Sequence, residues 1–218
     1  MEAGRGLSAP ATTLYVMRII DYSLEHLDVD QDFDWVVDTI PAVLAWLPEG
    51  ARKRRGLPTV FTLHHHPAAS ATGAERLQLR LDWDLAKLAA MDRALLQRTA
   101  RMRARRTAQR EHVTELAAYG LALVAISLCL PGRRVVSMRK GLPPDLLLDV
   151  TPGALRGVEV AGRSRGGLGA LNVLRAGDAS GEGPGKQGVL RERSDILEAH
   201  LSLWCASPRV SVMAMVKP

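Results

Sequence analysis

Two carboxylates in the second half of the chain are spaced like a pair that faces each other across a β-hairpin. Asp145 precedes an apolar segment at 146–150, a turn follows at 151–153, and Glu159 lies in a β-rich segment at 157–161. Because a hairpin brings side chains of neighbouring strands together on one face, the two acids are predicted to lie close together. Two such carboxylates suit a hard cation such as Mg²⁺, which lowers the pKa of bound water and stabilises charge on a phosphate.

The arrangement around these acids resembles the PD-(D/E)xK superfamily, the restriction-endonuclease-like nucleases. Pro144-Asp145 stands at the family's PD, and Glu159 stands at the first acid of its (D/E)xK. Glu115, on the preceding helix, stands where some members carry an extra acid. The pieces AAYGLAL, RKG, DLLLD and GVEVAG are also similar to uncharacterised bacterial proteins associated with this fold. The resemblance covers residues 111–217, about half of the chain. It implies Asp145, Glu159 and Glu115 as ligands of Mg²⁺ or Mn²⁺.

The chain departs from the family pattern at the lysine, because Ala161 stands two residues after Glu159. In the family this lysine helps to position the attacking water and offsets negative charge. Lys140 and Arg163 are the candidate substitutes. Arg163 would lie about 7 Å beyond Glu159 on the same strand face. A guanidinium can hold a phosphate, but it cannot serve as a base at neutral pH.

A second aspartate leaves the choice of metal ligand open. Asp149 is four residues after Asp145, so the two share one face of a strand. The family pattern favours Asp145 as the ligand. Asp149 is also suited to capping the turn that begins at Thr151.

The second functional feature is a run of arginines without any acid. Seven arginines fall within the 18 residues 93–110: Arg93, Arg98, Arg101, Arg103, Arg105, Arg106 and Arg110. A solvated helix face usually mixes charges of both signs, so this run favours contact with the phosphate backbone of DNA or RNA. An acidic protein partner, or the chain's own acidic stretch at 21–38, remains an alternative.

A glycine-rich segment at 176–188 contains a weak phosphate-loop motif. Residues 183–188 match GxGxxG, but they follow a loop instead of a strand, so the dinucleotide-binding context is missing. The segment is not a Walker-type loop, because Ser180 occupies the first glycine position. We interpret it as a loop that could approach a substrate bound to the second half of the chain.

Composition places the chain among ordinary globular proteins. Of the 218 residues, 47% are apolar and 24% are charged, which excludes a mostly disordered chain. The 29 basic and 23 acidic residues leave a net charge of +6, which favours polyanionic partners. Cys129 and Cys205 are predicted to be buried thiols in a reducing compartment. Residues 116–132 carry no charge but fall short of the roughly 20 residues of a membrane span, so we expect a buried helix and a cytoplasmic protein.

The predicted fold is α/β with three parts. Residues 1–83 form an α/β extension with a helix at 32–47, and residues 84–110 form a long Arg-rich helix. Residues 111–218 form a nuclease-like αβββαβ core with a mixed sheet, in which the second helix spans 190–204.

The sequence supports two functional hypotheses. The first is a metal-dependent nuclease that hydrolyses phosphodiester bonds of DNA or RNA at Asp145 and Glu159. The second is a catalytically inactive nuclease-fold subunit that binds nucleic acid or protein in a larger assembly, such as a defence or mobile-element system. Ala161 favours the second hypothesis, and the paired acids favour the first.

Overall fold

The structure is a computed structural model that describes residues 17–47, 57–68, 74–104, 110–177 and 184–218. The helices in these ranges are α1 (Leu27–Asp30), α2 (Phe33–Trp46), α3 (Leu85–Met91), α4 (Leu95–Arg103), α5 (Arg110–Cys129), α6 (Gly167–Ala176) and α7 (Lys186–Glu192). The strands are β1 (Arg18–Ser23), β2 (Thr59–His66), β3 (Glu75–Asp82), β4 (Ser137–Met138), β5 (Leu146–Asp149), β6 (Leu155–Arg163), β7 (Ile196–Ala206) and β8 (Arg209–Lys217). Arg105 and Arg106 lie outside the described residues.

All eight strands of the described ranges join one mixed sheet in the order β1-β3-β2-β8-β7-β6-β5-β4. The pairs β1/β3, β2/β8 and β6/β7 are parallel, and the other neighbours are antiparallel. The predicted α/β class with a mixed sheet is confirmed. Strand β2 joins the sheet beside β8, so backbone hydrogen bonds connect the two halves of the chain.

Helices cover the sheet on both faces. Apolar side chains of α2 and α5 pack with Trp204 of β7 on one face. Leu171 of α6 and Leu190 of α7 pack with Leu203 and Cys205 of β7 on the other face. Since β7 is buried on both faces, its side chains connect two apolar clusters across the sheet.

The uncharged segment predicted to be a buried helix is α5, and it fills the centre of the first cluster. Helix α5 is long and apolar enough to cross a membrane by length and composition, but 61% of its most apolar window is buried inside the fold. Ala117, Leu121 and Val124 are fully buried against α2 and the sheet. A core helix that touches protein on most of its surface is apolar nearly all round.

The predicted helix at 190–204 is wrong over most of its length, because β7 begins at Ile196. Leu197, Leu201 and Trp204 follow an i, i+4, i+7 spacing that favours a helix. In the structure Leu197 is half exposed, whereas Leu201 and Trp204 are fully buried. A central strand covered on both faces loses simple apolar and polar alternation, so its pattern is ambiguous.

The predicted single Arg-rich helix at 84–110 is interrupted. Helix α3 ends at Met91, and α4 begins at Leu95. Asp92 between them has extended backbone, and its carboxylate accepts a hydrogen bond of 3.0 Å from the amide of Ala94. An aspartate that bonds to a backbone amide two residues ahead starts a turn or a new helix, which explains the break.

Gly157 allows β5 to approach β6 closely beside Asp145. A Cβ atom at this position would lie 2.4 Å from the Leu146 carbonyl oxygen and 2.5 Å from Cγ of Pro144. We expect Gly157→Ala to lower the free energy of unfolding by about 1–3 kcal/mol in urea denaturation, because the strand pair must separate. Gly169→Ala in α6 is the matched control, since its Cβ would meet no atom within 4 Å. Equal stability of the two variants would contradict this packing.

Candidate active site

Asp145 and Glu159 lie together where β5 begins beside β6, as the hairpin spacing predicted. The Asp145 carboxylate accepts a hydrogen bond of 2.8 Å from the Val160 amide. Its other oxygen accepts a bond of 3.4 Å from the hydroxyl of Tyr119 on α5. The Asp145 and Glu159 carboxyl groups are within hydrogen-bonding reach of each other. Strand pairing and α5 therefore hold the acidic pair in place.

Burial and a neighbouring carboxylate disfavour the ionised form of Asp145. That neighbour, Glu159, is 7% exposed. Burial, with the negative charge of Glu159, raises the pKa of Asp145 to about 6, although the Val160 amide and Lys186 partly offset the effect. Burial and the nearby carboxylates also raise the pKa of the Tyr119 hydroxyl, first through desolvation and then through Asp145 and Glu115. A carboxyl group with a perturbed pKa beside a groove is typical of functional sites.

The raised pKa of Asp145 predicts that its contribution to stability falls as the pH rises. A carboxyl whose pKa is higher in the folded state binds more protons there, so ionisation favours the unfolded state. Between about pH 4 and pH 6 we expect the native chain to lose stability relative to Asp145→Asn. The difference in unfolding free energy therefore shifts in favour of the variant as the pH rises. Above that range it should level off. Urea denaturation across this range measures the difference, and a constant difference would contradict the assigned burial.

A lysine that was not predicted from the sequence contacts Glu159 of this pair. Lys186, the first residue of α7, forms an ion pair with Glu159. A Cβ on Gly185 would lie 2.1 Å from the Gly177 amide nitrogen, so glycine lets α7 begin directly against the end of α6. One signal was available: Lys186 is the single lysine between Lys140 and Lys217. Its GPGK context was interpreted as a loop, and nothing local indicated its distance from Glu159.

The two predicted lysine substitutes lie at the rim of the site. Lys140 forms an ion pair of 3.1 Å with Glu115, and its side chain is 78% exposed. Arg163 ends β6 and is exposed. Glu115 therefore contacts Lys140 and, at 4.0 Å, His112, whereas half-buried Asp145 is paired with buried Glu159.

Asp149 has a structural role that separates it from Asp145. Its carboxylate accepts bonds from the amide and hydroxyl of Thr151, at 3.0 and 2.8 Å. It also forms an ion pair of 2.7 Å with Arg156. Asp149 thus caps the turn, and the structure brings Asp145 instead of Asp149 to Glu159.

A groove of about 420 Å³ opens beside the acidic pair. Its walls are α5, with Arg110, Glu115 and Tyr119, and the end of β6, with Ala161 and Arg163. Within the described ranges, no group of three or more His, Cys, Asp or Glu side chains is arranged to hold a metal ion. The acidic side chains that interact with each other at this position are therefore the pair Asp145 and Glu159.

The arginines predicted to bind nucleic acid have different environments. Arg98 forms an ion pair with Asp92, and Arg103 donates a hydrogen bond of 2.7 Å to the Leu44 carbonyl. Arg101 and Arg110 are exposed. Arg98 and Arg103 thus also connect α4 to neighbouring backbone and side chains.

A scan against protein-family models, a search of curated proteins and a search of solved structures each give no match to this chain.

Proposed function

We propose that the chain is a metal-dependent nuclease of the PD-(D/E)xK type that hydrolyses phosphodiester bonds at Asp145 and Glu159. The observation that carries this proposal is the carboxylate pair of half-buried Asp145 and buried Glu159, with Lys186 beside it. Two carboxylates and one ammonium group next to a groove are components that metal-assisted hydrolysis of a phosphate ester uses. The order α5, β4, β5, β6, α6, β7 also matches the core order of that superfamily, with α7 inserted before β7.

The residues present fit a divalent cation. The Oε2 atom of Glu159 is buried and has no hydrogen-bond partner. Asp145 carries a raised pKa next to a second carboxylate, so a positive charge between the two groups would favour the ionised form of Asp145. Asp145 and Glu159 would hold Mg²⁺ or Mn²⁺, and Glu115, the third proposed ligand, lines the adjacent groove. When bound, the cation would activate a water nucleophile and stabilise charge on the phosphate.

The protein's own side chains would supply positive charge, orient Asp145 and bind the flanking phosphates. Lys186 would contribute the positive charge that Ala161 lacks, holding the attacking water or a phosphate oxygen next to Glu159. The Tyr119 hydroxyl orients Asp145 by its hydrogen bond. Arg163 and Lys140, at the rim, would hold the phosphates on either side of the cleaved bond.

One observation favours a second candidate function. Lys186 already neutralises Glu159, and an ammonium group in this position can substitute permanently for a metal ion. The chain would then be a catalytically inactive nuclease-fold subunit, cytoplasmic in location, that binds DNA, RNA or protein through its arginines. Arg101 and Arg110 would be its exposed phosphate contacts.

A cleavage assay on the purified chain separates the two functions. Labelled single-stranded DNA, duplex DNA and RNA would each be incubated with Mg²⁺, with Mn²⁺ and with EDTA. The nuclease proposal predicts cleavage that requires a divalent cation and stops in EDTA. Salt-sensitive binding without cleavage under any of these conditions would contradict it and support the inactive subunit.

A further inference from the structure

A second groove of about 370 Å³ adjoins the groove at the acidic pair. The two grooves share Arg110 and Ser164 in their walls, so they meet at the end of β6. The second groove extends from there towards the ends of α2 and α4, where Trp46 and Arg103 lie. A chain that follows the first groove past the acidic pair would reach the second groove at Arg110 and Ser164.

The charge of the second groove suits an anion. Arg103, Arg110 and Arg165 line it, and the described lining residues include no acid. The first groove contains Glu111 and Glu115, so positive charge increases away from the carboxylates. Each guanidinium group can donate two parallel hydrogen bonds to a phosphate, so arginines in this arrangement can bind successive phosphates.

Apart from Ser164 and Ser207, the remaining described wall of the second groove is apolar and includes the aromatic side chain of Trp46. Trp46, at the end of α2, is half-buried, and Met102 of α4 lines the same groove. The indole Nε1 atom of Trp46 is buried, so the polar atom of the ring does not face the solvent. A partly exposed indole in a groove is a surface on which a nucleic-acid base can stack.

We propose that the second groove binds one unpaired nucleotide next to the cleavage position, with its base on Trp46 and its phosphate on Arg110 and Arg165. The substrate class is therefore single-stranded nucleic acid. This inference rests on the proposed function, because it extends the substrate path from the acidic pair. A base in a duplex is stacked on both faces and cannot reach Trp46 without being unpaired, which costs a few kcal/mol.

The test is equilibrium binding in EDTA, where cleavage plays no part, with a fluorescein-labelled oligothymidylate, an oligouridylate and a hairpin duplex. We expect the native chain to bind the single strands more tightly than the hairpin. Trp46→Leu should weaken single-strand binding by about 5- to 150-fold and leave hairpin binding unchanged, as expected for one stacked base. Arg165→Gln should reduce the salt dependence of single-strand binding by about one unit of slope.

Two controls keep the result interpretable. Arg18→Gln removes the same charge at an exposed position of β1 that lies outside the Arg-rich run and lines neither groove, so its salt slope should match the native chain. Trp46→Phe keeps an aromatic face and should retain most of the affinity. Equal loss of hairpin and single-strand binding in Trp46→Leu, or no loss at all, would overturn the inference. Duplex cleavage with no single-strand preference would overturn it while leaving the proposed nuclease standing.

Discussion

Asp145→Asn is expected to reduce cleavage by at least about 10²-fold, because it removes one of the two charges that would hold the cation at the phosphate. The amide can still accept the hydrogen bond of the Val160 backbone, so the strand geometry at this position should survive. Initial rates on a labelled single strand with saturating Mn²⁺ measure the effect. Circular dichroism confirms that the variant is folded.

Asp149→Asn provides a matched control for this prediction. It makes the same chemical change four residues away, at a carboxylate that caps the Thr151 turn and pairs with Arg156. We expect Asp149→Asn to lose some stability but to keep its cleavage rate within a few-fold of the native chain. If both variants lose activity equally, the assignment of Asp145 to the chemistry is contradicted.

Lys186→Met is expected to reduce cleavage by about 10²-fold, since the site then lacks its ammonium group. The double variant Lys186→Met with Ala161→Lys should recover much of the lost rate. Ala161 lines the groove two residues after Glu159 on β6, so a lysine there returns positive charge to the same site from the strand. This rescue distinguishes a role in chemistry from a role in packing, because an ion pair needed only for stability would move the melting temperature and not the rate.

Lys87→Met on α3 is the control for Lys186→Met, because it removes an exposed lysine that is not at either groove. It should leave the rate unchanged. An increase in cleavage after Lys186→Met would mean that Lys186 only hinders the cation at Glu159 and takes no part in the chemistry. In that case the proposed catalytic role of Lys186 would be wrong.

Elements with simple local patterns were predictable from the sequence. Helix α2 follows a clear helical pattern, and the structure confirms the predicted helix at 32–47 within one residue at each end. Strand β7 was not predictable in this way, because burial on both faces removes the period-two pattern. The pairing of β2 with β8 joins residues about 150 positions apart, and no local pattern specifies such a contact.

The residues of the candidate site also differ in how far local sequence patterns predict them. Asp145 and Glu159 were predictable as a pair because one tight hairpin connects them, so their proximity follows from local register. Lys186 reaches Glu159 through the α6 connection, and its position depends on the close approach of Gly185 to the end of α6. A contact made by helix packing leaves no spacing signal in the sequence. For this reason the sequence did not indicate Lys186 as the substitute for the motif lysine that Ala161 replaces.

Calorimetric titration of Mn²⁺ into the purified chain would show whether Asp145 and Glu159 hold a divalent cation. We expect saturable binding that is lost in Asp145→Asn and retained in Asp149→Asn. Binding should be stronger in Lys186→Met, where Glu159 is no longer neutralised. Binding that persists unchanged in Asp145→Asn, or that is missing from both the native chain and Lys186→Met, would contradict a cation site at these two carboxylates.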